Sequence, residues 1–111
     1  MPPTTPHYDL DQIKWVAKDP DKISLDRRAD NDRLGLRYTM DDVAQCIQQL
    51  SADDYYKTLD YPGQKKGAPT LYFDVYKTEF CPEGSVVTDY LYVKLRLSGG
   101  VCVWVGSFKL V

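Results

Sequence analysis

Tyr90-Leu91-Tyr92-Val93-Lys94-Leu95-Arg96-Leu97 alternates aliphatic and polar side chains without a break. Successive side chains of a β-strand point to opposite faces. Leu91, Val93, Leu95 and Leu97 therefore share one face, which must be buried, and Tyr90, Tyr92, Lys94 and Arg96 share the other. Working outward, this strand spans residues 87–97, and Ser98-Gly99-Gly100 is a hairpin signal leading into a further strand over 101–110. Upstream, Cys81-Pro82-Glu83-Gly84-Ser85 reads as a turn after a strand over Leu71–Phe80, and residues 61–70, with two Pro and two Gly, read as a loop.

Before the strands the apolar period is that of helices. Leu10, Ile13, Val16 and Ala17 predict a helix over residues 9–18, ended by Asp19-Pro20-Asp21. A second helix is expected over 26–34, with Gly35 as its stop. Thr39-Met40-Asp41-Asp42 has the form of a capping box, and Met40, Val43, Ile47 and Leu50 then make one apolar stripe. Ser51-Ala52-Asp53-Asp54 repeats the cap and predicts a short helical turn carrying Tyr55, Tyr56 and Lys57. Helices first and an antiparallel meander afterwards argue an α+β class, with N-terminal helices packed on a C-terminal antiparallel sheet.

At 111 residues the chain reads as a single domain, residues 1–111, with 1–5 a loose tail. No run of 18 apolar residues predicts a membrane span, and the first six residues do not form a secretory signal. Cys46, Cys81 and Cys102 are odd in number and widely spaced, a poor disulfide framework and a poor zinc set, so a cytoplasmic setting is expected. With one histidine, His7, no metal centre and no cofactor are expected. The net charge of −2 is unevenly spread: residues 1–54 carry 7 Lys/Arg against 11 Asp/Glu, and 55–111 carry 7 against 5. If RNA is bound, the C-terminal half should bind it. The polar strand face, two phenols and two cations in a row, fits either a solvated surface or a platform on which cations hold phosphates and rings stack on bases.

Several strings, in one order, resemble the MqsR family of bacterial toxins. They are Thr5-Pro6-His7-Tyr8-Asp9-Leu10-Asp11-Gln12-Ile13-Lys14, Leu34-Gly35-Leu36, Asp54-Tyr55-Tyr56-Lys57-Thr58-Leu59, Asp74-Val75-Tyr76, Leu91-Tyr92-Val93-Lys94 and Ser107-Phe108-Lys109. The resemblance covers nearly the whole chain. It implies a RelE-like compact domain and the toxin of a type II toxin–antitoxin system, an endoribonuclease that cleaves mRNA and inhibits translation. It also implies a cognate antitoxin as partner, with DNA reached only through that antitoxin. The family's catalytic lysine and tyrosine fall on Lys57 and Tyr92. Its glutamine falls on Phe73, which has no side-chain hydrogen-bonding group, and the preceding tryptophan on Tyr72.

Metal-free RNA cleavage needs a base for the 2′-hydroxyl proton, an acid for the leaving 5′-oxygen and cations for the charge growing on phosphorus. Tyr92 is assigned the acid–base role, and Lys57 phosphate contact or the second proton transfer. Lys94 and Arg96, flanking Tyr92, are expected to lower its phenol pKa and to stabilise charge, while Phe73, Tyr72 and Tyr90 are candidates for base stacking. The alternative is a non-catalytic RNA- or protein-binding domain on the same fold, with activity weakened or lost through Phe73. The final strand, ending Phe108-Lys109-Leu110-Val111, is the expected sheet edge for a partner.

Overall fold

A computed structural model describes residues 5–111. The expected loose tail over 1–5 lies outside these, except for Thr5, whose carbonyl accepts a 3.3 Å hydrogen bond from the Tyr55 hydroxyl. Helix α1 (Leu10–Val16) starts at Asp9, whose carboxylate accepts from the Asp11 N–H. Strand β1 (Ile23–Leu25) precedes α2 (Arg27–Gly35), which is capped by Asp26. Helix α3 (Met40–Gln48) opens on the predicted box: Thr39 Oγ1 accepts from the Asp42 N–H at 3.1 Å, and the Asp42 carboxylate accepts from the Thr39 N–H at 2.9 Å. Then come β2 (Tyr55–Tyr61), β3 (Leu71–Phe80), β4 (Asp89–Ser98) and β5 (Cys102–Leu110).

These strands form one sheet in the order β1-β5-β4-β3-β2. All neighbours are antiparallel except β1, which runs parallel to β5 through Ile23↔Val103 and Leu25↔Val105. The class is α+β, as the residue pattern predicts, with a mixed rather than purely antiparallel sheet. The helices cover one face. Ile13 of α1 and Val43, Cys46 and Ile47 of α3, with Leu50 just beyond it, are wholly buried against Tyr76, Leu91, Val93, Leu95 and Phe108. Each aliphatic side chain so buried contributes roughly 1.5–3 kcal/mol. Among the described residues, no helix is long and apolar enough to cross a membrane.

Three expectations are corrected, and one strand is added to those the sequence pattern predicts. Tyr55, Tyr56 and Lys57 do not lie on a helical turn: the turn closes at Asp54 and β2 begins at Tyr55. The β-favouring run Tyr55-Tyr56-Lys57-Thr58-Leu59-Asp60-Tyr61 finds a partner in β3, and that pairing overrides the cap signal. The three-residue β1 has too little sequence to announce itself. Gly35 is the last helical residue rather than the stop, and Arg37 takes the left-handed conformation at φ 63°. Finally, β5 is not the sheet's edge: β1 pairs with its outer side and the edges are β1 and β2.

The segment before α1 is held by a buried carboxylate. Asp74 of β3, wholly buried, accepts from the backbone N–H of His7 and of Tyr8, both at 2.8 Å, and from the Thr58 hydroxyl at 2.6 Å. Buried charge is tolerated only when it is fully hydrogen-bonded in this way. Two residues on, the Tyr76 hydroxyl is buried with no partner among the described residues.

Candidate functional site

The face of the sheet turned away from the helices is organised around Tyr92. It stands opposite Lys77 of β3 and Lys109 of β5, while Lys94 stands opposite Val75 and Ser107. Val75 in turn faces Lys57 of β2. A bulge brings Lys57 here: the register slips between Tyr55 and Lys57, so Tyr55 meets the core-facing Tyr76 and Lys57 still meets the outward-facing Val75. Without the extra residue, strict alternation would send Lys57 to the helix side.

Four lysines thus share the face, with Glu79 as the carboxylate at its rim opposite Tyr90. Their ammonium groups rest on rings. Lys77 Nζ lies 3.7 Å from the Tyr56 ring centroid and Lys57 Nζ 5.2 Å from the same centroid. Lys109 Nζ lies 5.2 Å from the Tyr92 ring, and Lys94 Nζ lies 5.1 Å from Tyr61 and 5.3 Å from Phe73. Cation–π contacts of this kind hold long side chains in place while leaving the charge at the surface. Val75 is wholly buried beneath this layer yet stands apart from the helix-side core, which fits lysine stems roofing the sheet. The solvated-surface reading and the platform reading therefore describe the same residues: the stems cover, and the heads are available to an anion.

Phe73 and Lys94 are seated by a second bulge. Gly106 is the extra residue of β5 between Val105 and Ser107, and a Cβ there would fall 2.7 Å from Lys94 Cε and 3.1 Å from Phe73 Cε1. The missing side chain makes the notch into which the Phe73 ring and the Lys94 stem settle. Tyr61 closes the group edge-on to Phe73, with centroids 5.5 Å apart at 88°, and its hydroxyl accepts a 3.0 Å hydrogen bond from Lys94 Nζ.

The electrostatics of Tyr92 correct the sequence expectation. Burial pushes its phenol pKa up, and the neighbouring Tyr61 and Tyr56 phenols push the same way. Lys94 is engaged with Tyr61, and Arg96 turns to Tyr8, whose phenol is raised by burial and partly pulled back by the Arg96 guanidinium. Neither cation lowers Tyr92. At neutral pH the Tyr92 hydroxyl is protonated, a proton donor rather than an acceptor.

Lys57, Tyr92, Phe73, Lys94 and Tyr90 are brought to one face. Tyr72 is not: it alternates to the helix side and stacks on His7, with centroids 4.0 Å apart at 17°. Arg96 stands opposite the partly exposed Trp104, with its guanidinium near enough to the Tyr8 phenol to act on it. Sequence reasoning missed Tyr56, Tyr61, Lys77 and Lys109. Alternation from Phe73 and Val75 could have found Lys77, and alternation from Ser107 could have found Lys109. The two tyrosines were hidden because Tyr56 reads as part of a helical turn and Tyr61 as the start of the 61–70 loop, whereas both lie in β2.

A family model described as "Motility quorum-sensing regulator, toxin of MqsA" matches residues 5–110. No curated protein sequence matches the chain.

Proposed function

This chain belongs to the MqsR toxin family, and on that premise we propose that it is a metal-independent endoribonuclease that cleaves mRNA in the cytoplasm and so inhibits translation. It is a toxin of a toxin–antitoxin system, with an antitoxin as its partner. In this reading a single domain carries both the cleavage site and the antitoxin contact.

The observation that carries the reading is the gathering of Lys57, Lys77, Lys94 and Lys109 around a protonated Tyr92 on one open sheet face. An RNA phosphodiester laid there meets ammonium groups on four strands, with exposed rings, Tyr56 and Tyr90, for base stacking. The 2′-oxygen attacks phosphorus, the bond from phosphorus to the 5′-oxygen breaks, and a 2′,3′-cyclic phosphate and a 5′-hydroxyl result. Tyr92 gives its proton to the leaving 5′-oxygen, and the 2′-hydroxyl proton passes to water. Lys57 holds the phosphoryl oxygens, and Lys77 and Lys109 add to the field that stabilises their growing charge. Phe73 supplies no polar contact, which favours a second reading, an RNA-binding domain that does not cleave.

Cleavage of a long end-labelled RNA in EDTA, with Lys57→Ala and Tyr92→Phe beside the natural chain, separates the two. Discrete fragments from the natural chain, reduced roughly 10²–10⁴-fold in Tyr92→Phe, are the expected result, since that is the usual worth of one positioned proton transfer. Equal cleavage by the natural chain and Tyr92→Phe removes Tyr92 from the chemistry. RNA retention without cleavage by any of the three establishes the binding domain.

A further inference from the structure

The geometry points to a second phosphate subsite formed by the Tyr61 hydroxyl and the Lys94 ammonium, which binds the backbone phosphate next to the one being cleaved. The inference rests on the RNA-cleaving reading above and deepens it: the substrate must carry at least two consecutive phosphates.

Tyr61 is the last residue of β2 and is 43% exposed, so its hydroxyl is open to a ligand. That oxygen already accepts from Lys94 Nζ at 3.0 Å. With one lone pair engaged by a cation, the hydroxyl still has its own O–H, now polarised, to give to an acceptor. Lys94, an ammonium with three donors, has others left over. One hydroxyl donor and one ammonium donor, 3.0 Å apart, suit two oxygens of a single phosphate. The pair is also fixed in place: Phe73 packs edge-on to Tyr61 and beneath Lys94, and the Gly106 notch receives both Phe73 and the lysine stem.

The position relative to Tyr92 is that of a neighbour rather than a rival. Lys94 lies two residues along the same strand face, a Cα separation of about 7 Å. The Tyr61 phenol is close enough to Tyr92 to act on it electrostatically. Tyr92, Lys57, Lys77 and Lys109 serve one phosphate, and Tyr61 with Lys94 the next along an extended strand. Glu79, the acid of this face, sits at the opposite end, beside Tyr90.

The test pairs a change in the protein with a change in the RNA. A short RNA with one cleavable linkage is made with an uncharged methylphosphonate, in turn, at each of the two flanking positions. With the natural chain, one of the two substitutions is expected to lower kcat/KM by roughly 10-fold or more, the loss of a charge-assisted contact. Tyr61→Phe and Lys94→Gln are expected to be slow on the all-phosphate RNA and nearly indifferent to that same methylphosphonate. Variants that keep the full methylphosphonate penalty overturn the subsite, whatever their basal rate, because a merely structural defect would leave the penalty intact. Absence of cleavage by the natural chain refutes the nuclease reading instead. The subsite is then judged by binding of the same two RNAs with 2′-O-methyl sugars, where equal affinity for the phosphate and methylphosphonate forms overturns it.

Discussion

Gly106→Ala should separate the stability of this protein from the working of its sheet face. The added methyl would stand 2.7 Å from Lys94 Cε and 3.1 Å from Phe73 Cε1. Carbon–carbon contacts are comfortable at about 3.5–4.0 Å, so the end of Lys94 must move by roughly 1 Å and the Phe73 ring by a few tenths. Lys94 is bonded to the Tyr61 hydroxyl at 3.0 Å, and a shift of that size away from it breaks the bond. The energetic cost to folding is small because the displaced atom is the tip of a flexible side chain. Overpacking costs about 1–3 kcal/mol in rigid cores, and here the lower end applies. Replacing glycine with alanine where the backbone permits it returns about 0.4–1 kcal/mol through the unfolded chain, and Gly106 is not among the glycines with positive φ. The urea midpoint should therefore correspond to a net loss of no more than about 1 kcal/mol. The rate of RNA cleavage should fall about 10-fold, the worth of the displaced contact. A loss of stability beyond about 3 kcal/mol would refute the claim that Lys94 yields. Unchanged cleavage with unchanged stability would refute the claim that its position matters.

Asp74→Ala leaves the His7 and Tyr8 N–H groups and the Thr58 hydroxyl without their common acceptor, and should cost about 3–5 kcal/mol in urea unfolding. Loss of hydrogen-exchange protection at amides 7 and 8 should accompany it, and retained protection would show that another group holds the segment. If Tyr92 donates the proton, cleavage should persist from neutral pH to beyond 10, because its raised pKa keeps the phenol protonated, and should fall as pH rises through that value. A decline centred near pH 7 would assign the acid to another group. Burial raises the Cys46 thiol from 9.0 to about 12, and burial together with the Asp89 hydrogen bond raises the Tyr38 phenol. Groups whose folded pKa is raised give stability that is whole below the unfolded value and is lost as pH climbs toward the folded one. The urea midpoint should hold steady up to about pH 9 and fall above it, and a midpoint still steady at about pH 11 would contradict this.

The parts of the fold written in local sequence were readable. Strand β3 keeps the bounds that its period of two predicts, β4 buries the leucine and valine side, and α3 begins at the box formed by Thr39 and Asp42. What escaped reading depends on distant partners. Ile23-Ser24-Leu25 becomes a strand only because Val103–Val105 offers an open side. The cap at Ser51 is real, and its Asp54 carboxylate does bond back to the Ser51 N–H, but it closes a single turn before the chain extends. That misreading concealed Tyr56, and reading residues 61–70 as a loop concealed Tyr61. Tyr56 and Tyr61 are invisible as neighbours of Tyr92 until β2 is laid against β3. The direction of the Tyr92 pKa was missed for the same reason: the flanking lysine and arginine are evident in sequence, whereas the burial and the phenols across the sheet are not.

The parallel pairing of β1 with β5 also fixes when the sheet can close. Residues 23–25 are made some eighty residues before their strand partners, residues 103–105, so the sheet cannot close until the chain has been synthesised through β5. Contacts so far apart in sequence form late and slowly. Lys109, which faces Tyr92, arrives later still. Until residues 103–109 have been made, a nascent chain lacks both the β1–β5 pairing and one of the four lysines of its basic face.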